Sequence, residues 1–241
     1  MNLHRSTFFA LILSLLPVCA NAQIPDPSVP TQANLGTTVS VAGLRIPEKA
    51  WEHYRKARAA ALANNEADFD RETAAALTVE PRFAALYVLR ASRKVRMSHF
   101  EPAIEDLQRA RQIEPNVAWA GISLASAYNG LHRYVDAYYV LTSLRAPEST
   151  TWQAAYELAR SATGRADAMD ALHWSAITLK IAPPHCVEAH LLRANALQLA
   201  GRPAEAVHEL RLYLAGQTRP RPEILDVIAN IERESSQVAS N

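Results

Sequence analysis

Residues 119–141 read WAGISLASAYNGLHRYVDAYYVL, and this stretch decides the fold. A turn signal at Leu131-His132 divides it in two. Before the turn stand Trp119, Leu124, Ala125 and Tyr128; after it come Tyr134, Ala137 and Leu141. Apolar residues three, four and seven places apart form one stripe along a helix, so each half predicts an amphipathic helix with one face to bury. The whole predicts a helical hairpin.

Working outward, the same marks return at a fixed interval. Pro47, Pro81 and Pro115 are 34 residues apart, Pro183 lies 68 further on, and Pro147 falls two places early. An alanine recurs ten places on at Ala57, Ala91 and Ala125, at Ala159 counted from the absent node at Ser149 and at Ala194 counted from Pro184, and twelve places later at Ala103, Ala137, Ala171 and Ala206. Turn signals at Asn64-Asn65, Met97-Ser98, Leu131-His132, Gly164-Arg165 and Gly201-Arg202 split the periods near their middles. Ser98 and Glu101 have the spacing of a capping box for the second helix of their pair. A single hairpin cannot bury its apolar stripe, whereas stacking about five buries a continuous core. The expectation is therefore an all-α fold, a right-handed α-solenoid of about five repeats over 47–216. A C-terminal capping helix is expected within 217–234, carried by Ile224, Leu225, Ile228 and Ile231, and a polar tail over 235–241.

These residues resemble the tetratricopeptide repeat family. Its pattern has an aromatic early in the first helix, Leu and a small residue one turn on, Tyr, then Ala and an aromatic in the second helix, and a closing proline. The third period carries it through Trp119, Leu124, Ala125, Tyr128, Tyr134, Ala137 and Leu141. The second does so through Tyr87, Ala91, Phe100, Ala103, Leu107, Ala110 and Pro115, and the fifth through Ala194, Gly201, Ala206 and Leu210. The fourth keeps Leu158, Ala159, Gly164 and Ala171 but has Thr178 for a small Ala; the first has Phe69 where Ala belongs. Lys56, Arg90 and Arg193 stand where the family has Leu, and their stems are expected along apolar surface with the charges in water. The resemblance implies a non-enzymatic interaction module whose first helices line a concave groove. The groove positions are Trp51, Tyr54 and Arg58; Val88, Ser92 and Val95; Trp119, Ile122, Ser126 and Asn129; Tyr156 and Arg160; Leu191, Asn195 and Gln198. For Trp119 a groove role and inter-repeat packing both stand open. The Lys, Asn and Arg set with which some members hold a C-terminal carboxylate is not evident.

The N-terminus reads as an address. Arg5 precedes an apolar run from Phe8 to Val18, and Ala20-Asn21-Ala22 suits cleavage before Gln23, which makes 1–22 a signal peptide and the protein periplasmic or secreted. The run is about eleven residues, against roughly 20 for a membrane span, so no transmembrane segment is expected. Leu16-Pro17-Val18-Cys19 leaves a lipid anchor at Cys19 as the alternative, an envelope assembly or secretion component resembling the pilotins. Residues 23–46, with Pro25, Pro27 and Pro30, read as an extended arm and lead-in. Loss of 1–22 removes one base and no acid, leaving 24 of each among the 25 basic and 24 acidic residues of the chain. No field of one sign recruits nucleic acid. Cys186 is then the one thiol, which excludes an internal disulfide and favours burial.

Catalytic and metal chemistry find little support. Gly121-Ile122-Ser123-Leu124-Ala125 approximates a nucleophile elbow, which needs a strand entering a sharp turn, whereas this stretch is helical. His185, Cys186 and His190 lack a fourth ligand, so no metal site and no cofactor is expected. No Gly-rich phosphate loop is present. A protein or peptide is the expected partner.

Overall fold

The 34-residue spacing of the sequence returns as a spacing of backbone conformations. Asn64, Ser98, His132, Ala166 and Gly201 all have positive φ, between 53° and 73°. Each reverses the chain between a first and a second helix, and consecutive members lie 34, 34, 34 and 35 residues apart. In the left-handed region the backbone turns tightly enough for the amide three places past the helix to reach back. His99 N, Asp167 N and Arg202 N donate to Lys94 O, Ala162 O and Leu197 O at 2.8–2.9 Å, closing the turn.

The computed structural model describes residues 46–115, 118–144, 151–217 and 221–239. The arm, the leader and Cys19 lie outside the described residues. Among those described there are eleven helices and no strand. They are α1 (Glu48–Leu62), α2 (Glu66–Val79), α3 (Ala84–Arg96), α4 (Phe100–Ile113), α5 (Ala118–Gly130), α6 (Tyr134–Thr142), α7 (Trp152–Gly164), α8 (Ala168–Ile181), α9 (Glu188–Leu199), α10 (Pro203–Ala215) and α11 (Pro222–Ala239). The described residues divide into two compact units, 46–131 and 132–239.

In the unit 46–131, α1 pairs with α2 and α3 with α4, while α5 packs on α4 and α3. Ala57, Ala91 and Ala125 are wholly buried at the middle of the first helices α1, α3 and α5. Having only a methyl group, they let backbones approach, and across α3 and α5 the Ser92 and Ser123 hydroxyls come within 3.5 Å. The core gathers Tyr54, Ala57, Phe69, Ala76, Phe83 and Leu86, with Ile46 and Trp51 packed against it. Phe69, on the alanine position of the first period, fills this core; burying such a ring contributes on the order of 2 kcal/mol.

In the unit 132–239, α7 pairs with α8, α9 with α10, α6 packs on α7, and α11 covers α10. Leu191, Leu197, Leu210 and Tyr213 meet Ile224, Val227, Ile228 and Ile231 of α11. Ala159 and Ala194 again are wholly buried at their helix middles. Thr178 stands for an alanine with its hydroxyl satisfied, donating to Trp174 O at 2.8 Å, one turn back in α8.

The structure corrects several expectations. Ser98 is not a helix cap: it is the left-handed residue of its turn, and α4 starts at Phe100 behind His99, which makes no side-chain cap bond. Side-chain caps occur instead at Asn65, Thr151 and Asp167, accepting from Asp68 N, Ala154 N and Asp170 N. In the fourth period the left-handed residue is Ala166, not Gly164. Gly164 answers a different need, since a Cβ there would lie 2.3 Å from the Tyr134 ring. Gly130 stands in the same relation to Phe100, at 2.4 Å. Leu225 points to solvent and Val227 takes its place in the core, and α11 runs on through the expected tail to Ala239.

Candidate functional site

Ten of the fifteen groove positions fall at two places on the first helices, four residues apart. The earlier place holds Tyr54, Val88, Ile122, Tyr156 and Leu191, and all five are buried. Tyr54 sits in the core cluster of α1, α2 and α3, its ring 5.4 Å from Trp51 and 5.6 Å from Phe83. Tyr156 packs with Ala159, Cys186, Ala189 and Leu192. These two tyrosines, expected among the groove positions, are therefore packing residues. Their place one turn before the close-approach alanine turns them into the seam between successive first helices.

The later place follows that alanine and is polar in every period: Arg58, Ser92, Ser126, Arg160 and Asn195. In the unit 46–131, Arg58 and Ser92 are half-buried and Ser126 is buried. Ser92 donates to Val88 O at 2.9 Å, whereas the Ser126 hydroxyl has no hydrogen-bond partner. Asn129, a turn beyond Ser126, is buried; Trp51 and Trp119 are half-buried, with the Trp51 ring edge-on to Phe83 at 4.7 Å. Val95 is buried.

In the unit 132–239, Arg160 is enclosed beside Glu157, with its Nη1 at 2.9 Å and 3.2 Å from the two carboxylate oxygens. Both side chains are less than a tenth exposed. Burial alone would lower the Arg160 guanidinium, but Glu157, Tyr156 and Tyr134 outweigh it and hold the value above that of a free arginine. The two groups set opposite formal charges side by side on one helix. Asn195 is 2% exposed and its Nδ2 has no partner; Gln198 is half-buried. Arg160, expected among the groove positions, instead meets a carboxylate supplied by its own helix.

Sequence reasoning missed the charged groups that lock the hairpins. Asp106 on α4, buried, accepts from Arg90 and from Lys94 Nζ at 2.8 Å, both on α3. Arg193 donates to Leu172 O at 2.7 Å and to Ser175 Oγ at 3.2 Å on α8. Two of the three cations at the family's Leu position are thus held by protein groups rather than by water, while Lys56 is exposed. His53 on α1 meets Glu72 on α2, and His190 on α9 meets Glu209 on α10, each at 2.7 Å across its hairpin. The signal was present: each such pair is 19 residues apart, and 72, 106 and 209 are acidic at matching places in their periods.

Cys186 is buried against Tyr156 and Leu192. Among the described residues no three His, Cys, Asp or Glu side chains gather as metal ligands, and no helix is long and apolar enough to cross a membrane. Ser123 lies within α5, away from any strand-to-helix turn.

No protein-family model matches the chain, and no curated protein shows significant similarity to it. Among solved structures, the chain is similar to one titled "Crystal structure of MamA protein". The TM-score is 0.55 at 18% identity, over 70% of this chain and 92% of that one. This likeness and the all-helical structure fit a fold of the tetratricopeptide type.

Proposed function

We propose that the protein is a non-enzymatic interaction module: about five tetratricopeptide-like hairpins wound as a right-handed solenoid, holding a segment of a partner protein against its first helices. The observation that carries this reading is the polar place after each close-approach alanine. Five periods differ in most side chains yet keep a polar group there on a helix otherwise devoted to packing. Packing alone favours an apolar residue at such a place. The half-buried Trp119, Ser92 and Arg58 offer contact area and directional donors in the unit 46–131.

The reading includes export, with cleavage after Ala22 and residence in the periplasm or outside the cell; the intact mass of the secreted chain tests it, beginning at Gln23. A diacylglyceryl group on Cys19 would instead make it a lipid-anchored envelope component. For the binding role, the test is the affinity of a purified partner for Trp119→Ala and Arg58→Glu. Loss of a well-packed aromatic anchor costs about 2 kcal/mol or more, roughly thirtyfold in affinity, and a rim charge less. Unchanged affinity in both variants, with melting curves at parent values, would place the contact elsewhere.

A further inference from the structure

In the unit 132–239 the outward sides of two second helices carry no formal charge. At 3.6 residues per turn, Val135, Tyr139 and Thr142 stand on the side of α6 opposite the wholly buried Ala137. Met169, His173 and Ala176 stand likewise on the side of α8 opposite the wholly buried Ala171. All six are exposed, and none is Asp, Glu, Lys or Arg. The matching places of α4, opposite Ala103, hold Glu101, Glu105 and Gln108, so the repeat itself does not require an uncharged face. Val135, Tyr139 and Met169 are 55%, 67% and 80% exposed. Single apolar side chains at a surface are ordinary; three at one register of two helices are not. The helices are also tied together under this face. The Arg165 guanidinium, in the turn before α8, lies 3.9 Å from the centre of the Tyr138 ring of α6 and donates to Asp170 of α8 at 3.3 Å. Tyr139 and Met169 are the chain neighbours of the two ends of this link.

We propose that a second copy of the chain covers this face, paired about a two-fold axis. Size is the first argument. The three side chains leave on the order of 400 Å² of largely apolar surface, within the range of the largest patch a monomer carries. A homodimer interface is about 65% apolar, so such a centre implies roughly 600 Å² a side and about 1,200 Å² in all, where stable interfaces begin. Charge is the second. A two-fold axis sets one patch against itself, so a rim of one sign would repel its own copy. Residues 133–142 and 165–181 hold Arg133, Arg165 and Lys180 with Asp136, Asp167 and Asp170, three of each sign. A face that lies on anionic lipid is ringed by an excess of basic residues, and this one is balanced. The face also asks for few hydrogen bonds, since Thr142 gives its hydroxyl to Tyr138 O at 2.9 Å. The pairing uses the second helices and is independent of what the first helices hold.

The test is sedimentation velocity on the purified protein across about 1–100 µM, the range in which a small interface associates. The mass should rise from that of one chain to that of two and no further. Tyr139→Glu and Met169→Glu each place a charge in the apolar centre and should weaken pairing at least about tenfold. Tyr139→Ser, which adds no charge, should weaken it by a smaller factor and decides the matter if a glutamate variant fails to fold. Glu105→Lys, at the matching place of α4, should leave pairing at the parent value. A photoreactive residue in place of Tyr139 should give an adduct of twice the chain mass. A single chain at 100 µM, assembly that grows past two copies, or pairing unaltered by Tyr139→Ser and Met169→Glu overturns the proposal. So does flotation with phosphatidylglycerol vesicles that Met169→Glu abolishes while the chain stays single, which would give the face to a membrane.

Discussion

Ala166 occupies a left-handed turn, φ 58°, where its periodic counterpart Gly201 is a glycine. A Cβ in this region crowds the following carbonyl and costs roughly 1–2 kcal/mol, offset in part by the greater freedom glycine loses on folding. Ala166→Gly should therefore stabilise the protein by up to about 1 kcal/mol, read as a higher midpoint in urea at unchanged slope. Gly164, two residues earlier, should behave oppositely. Alanine is about 1 kcal/mol the better helix former, yet its Cβ would sit 2.3 Å from the Tyr134 ring. Overpacking of this kind typically costs 1–3 kcal/mol, so Gly164→Ala should lower the midpoint. A rise would mean that the Tyr134 ring can swing aside. The two positions also show how far a residue type alone can be read. A glycine beside a turn signalled the turn correctly to within two places, but not that its task was to admit an aromatic ring from the neighbouring helix.

At the scale of the element, the hairpins are closed by polar pairs placed between apolar seams. In the first, the hydrogen bond from His53 holds the Glu72 carboxyl below the usual value of 4.5, with a further contribution from Arg71. A carboxyl lowered by folding stabilises the fold above about pH 4.5, and that contribution is lost as the pH falls through the lowered value. His53→Ala should flatten the acid limb, so that the melting temperature falls less between pH 5 and pH 3 than it does in the parent. An unchanged limb would show that the pair adds nothing to the hairpin. In the second hairpin Asp106→Ala strands Arg90 and Lys94, which remain about 30% exposed and can turn to water. The expected cost is accordingly modest, about 1–2 kcal/mol in urea unfolding. The helices themselves were legible because alanines and turn residues recur at one interval. These pairs were not, because an Arg or His on a helix reads equally as a solvated face until its partner on the next helix is known.

For the whole molecule, the repeat pattern implies that each hairpin leans on its neighbours rather than on one central core. A chain ended near Ala146 should stay helical by circular dichroism but melt at a lower temperature, whereas complete loss of helicity would point to a single indivisible core. The period told where the first helices lie and which face they turn to one another. It did not distinguish the seam place, which holds Tyr54 and Tyr156, from the polar place four residues on, since both project near one face of the same helix. Depth settles that question, and depth depends on how closely the alanines let the helices approach. The central claim is that partners meet the first helices. Its most direct measurement is site-specific photocrosslinking in the native cell, with the photoreactive residue at Ser92 or Trp119 of the first helices and, as controls, at the exposed Glu105 and Arg109 of α4. The account predicts the same discrete adduct from Ser92 and Trp119, diminished by Arg58→Glu, and none from Glu105 or Arg109. Adducts from the α4 positions with none from the first helices would contradict it.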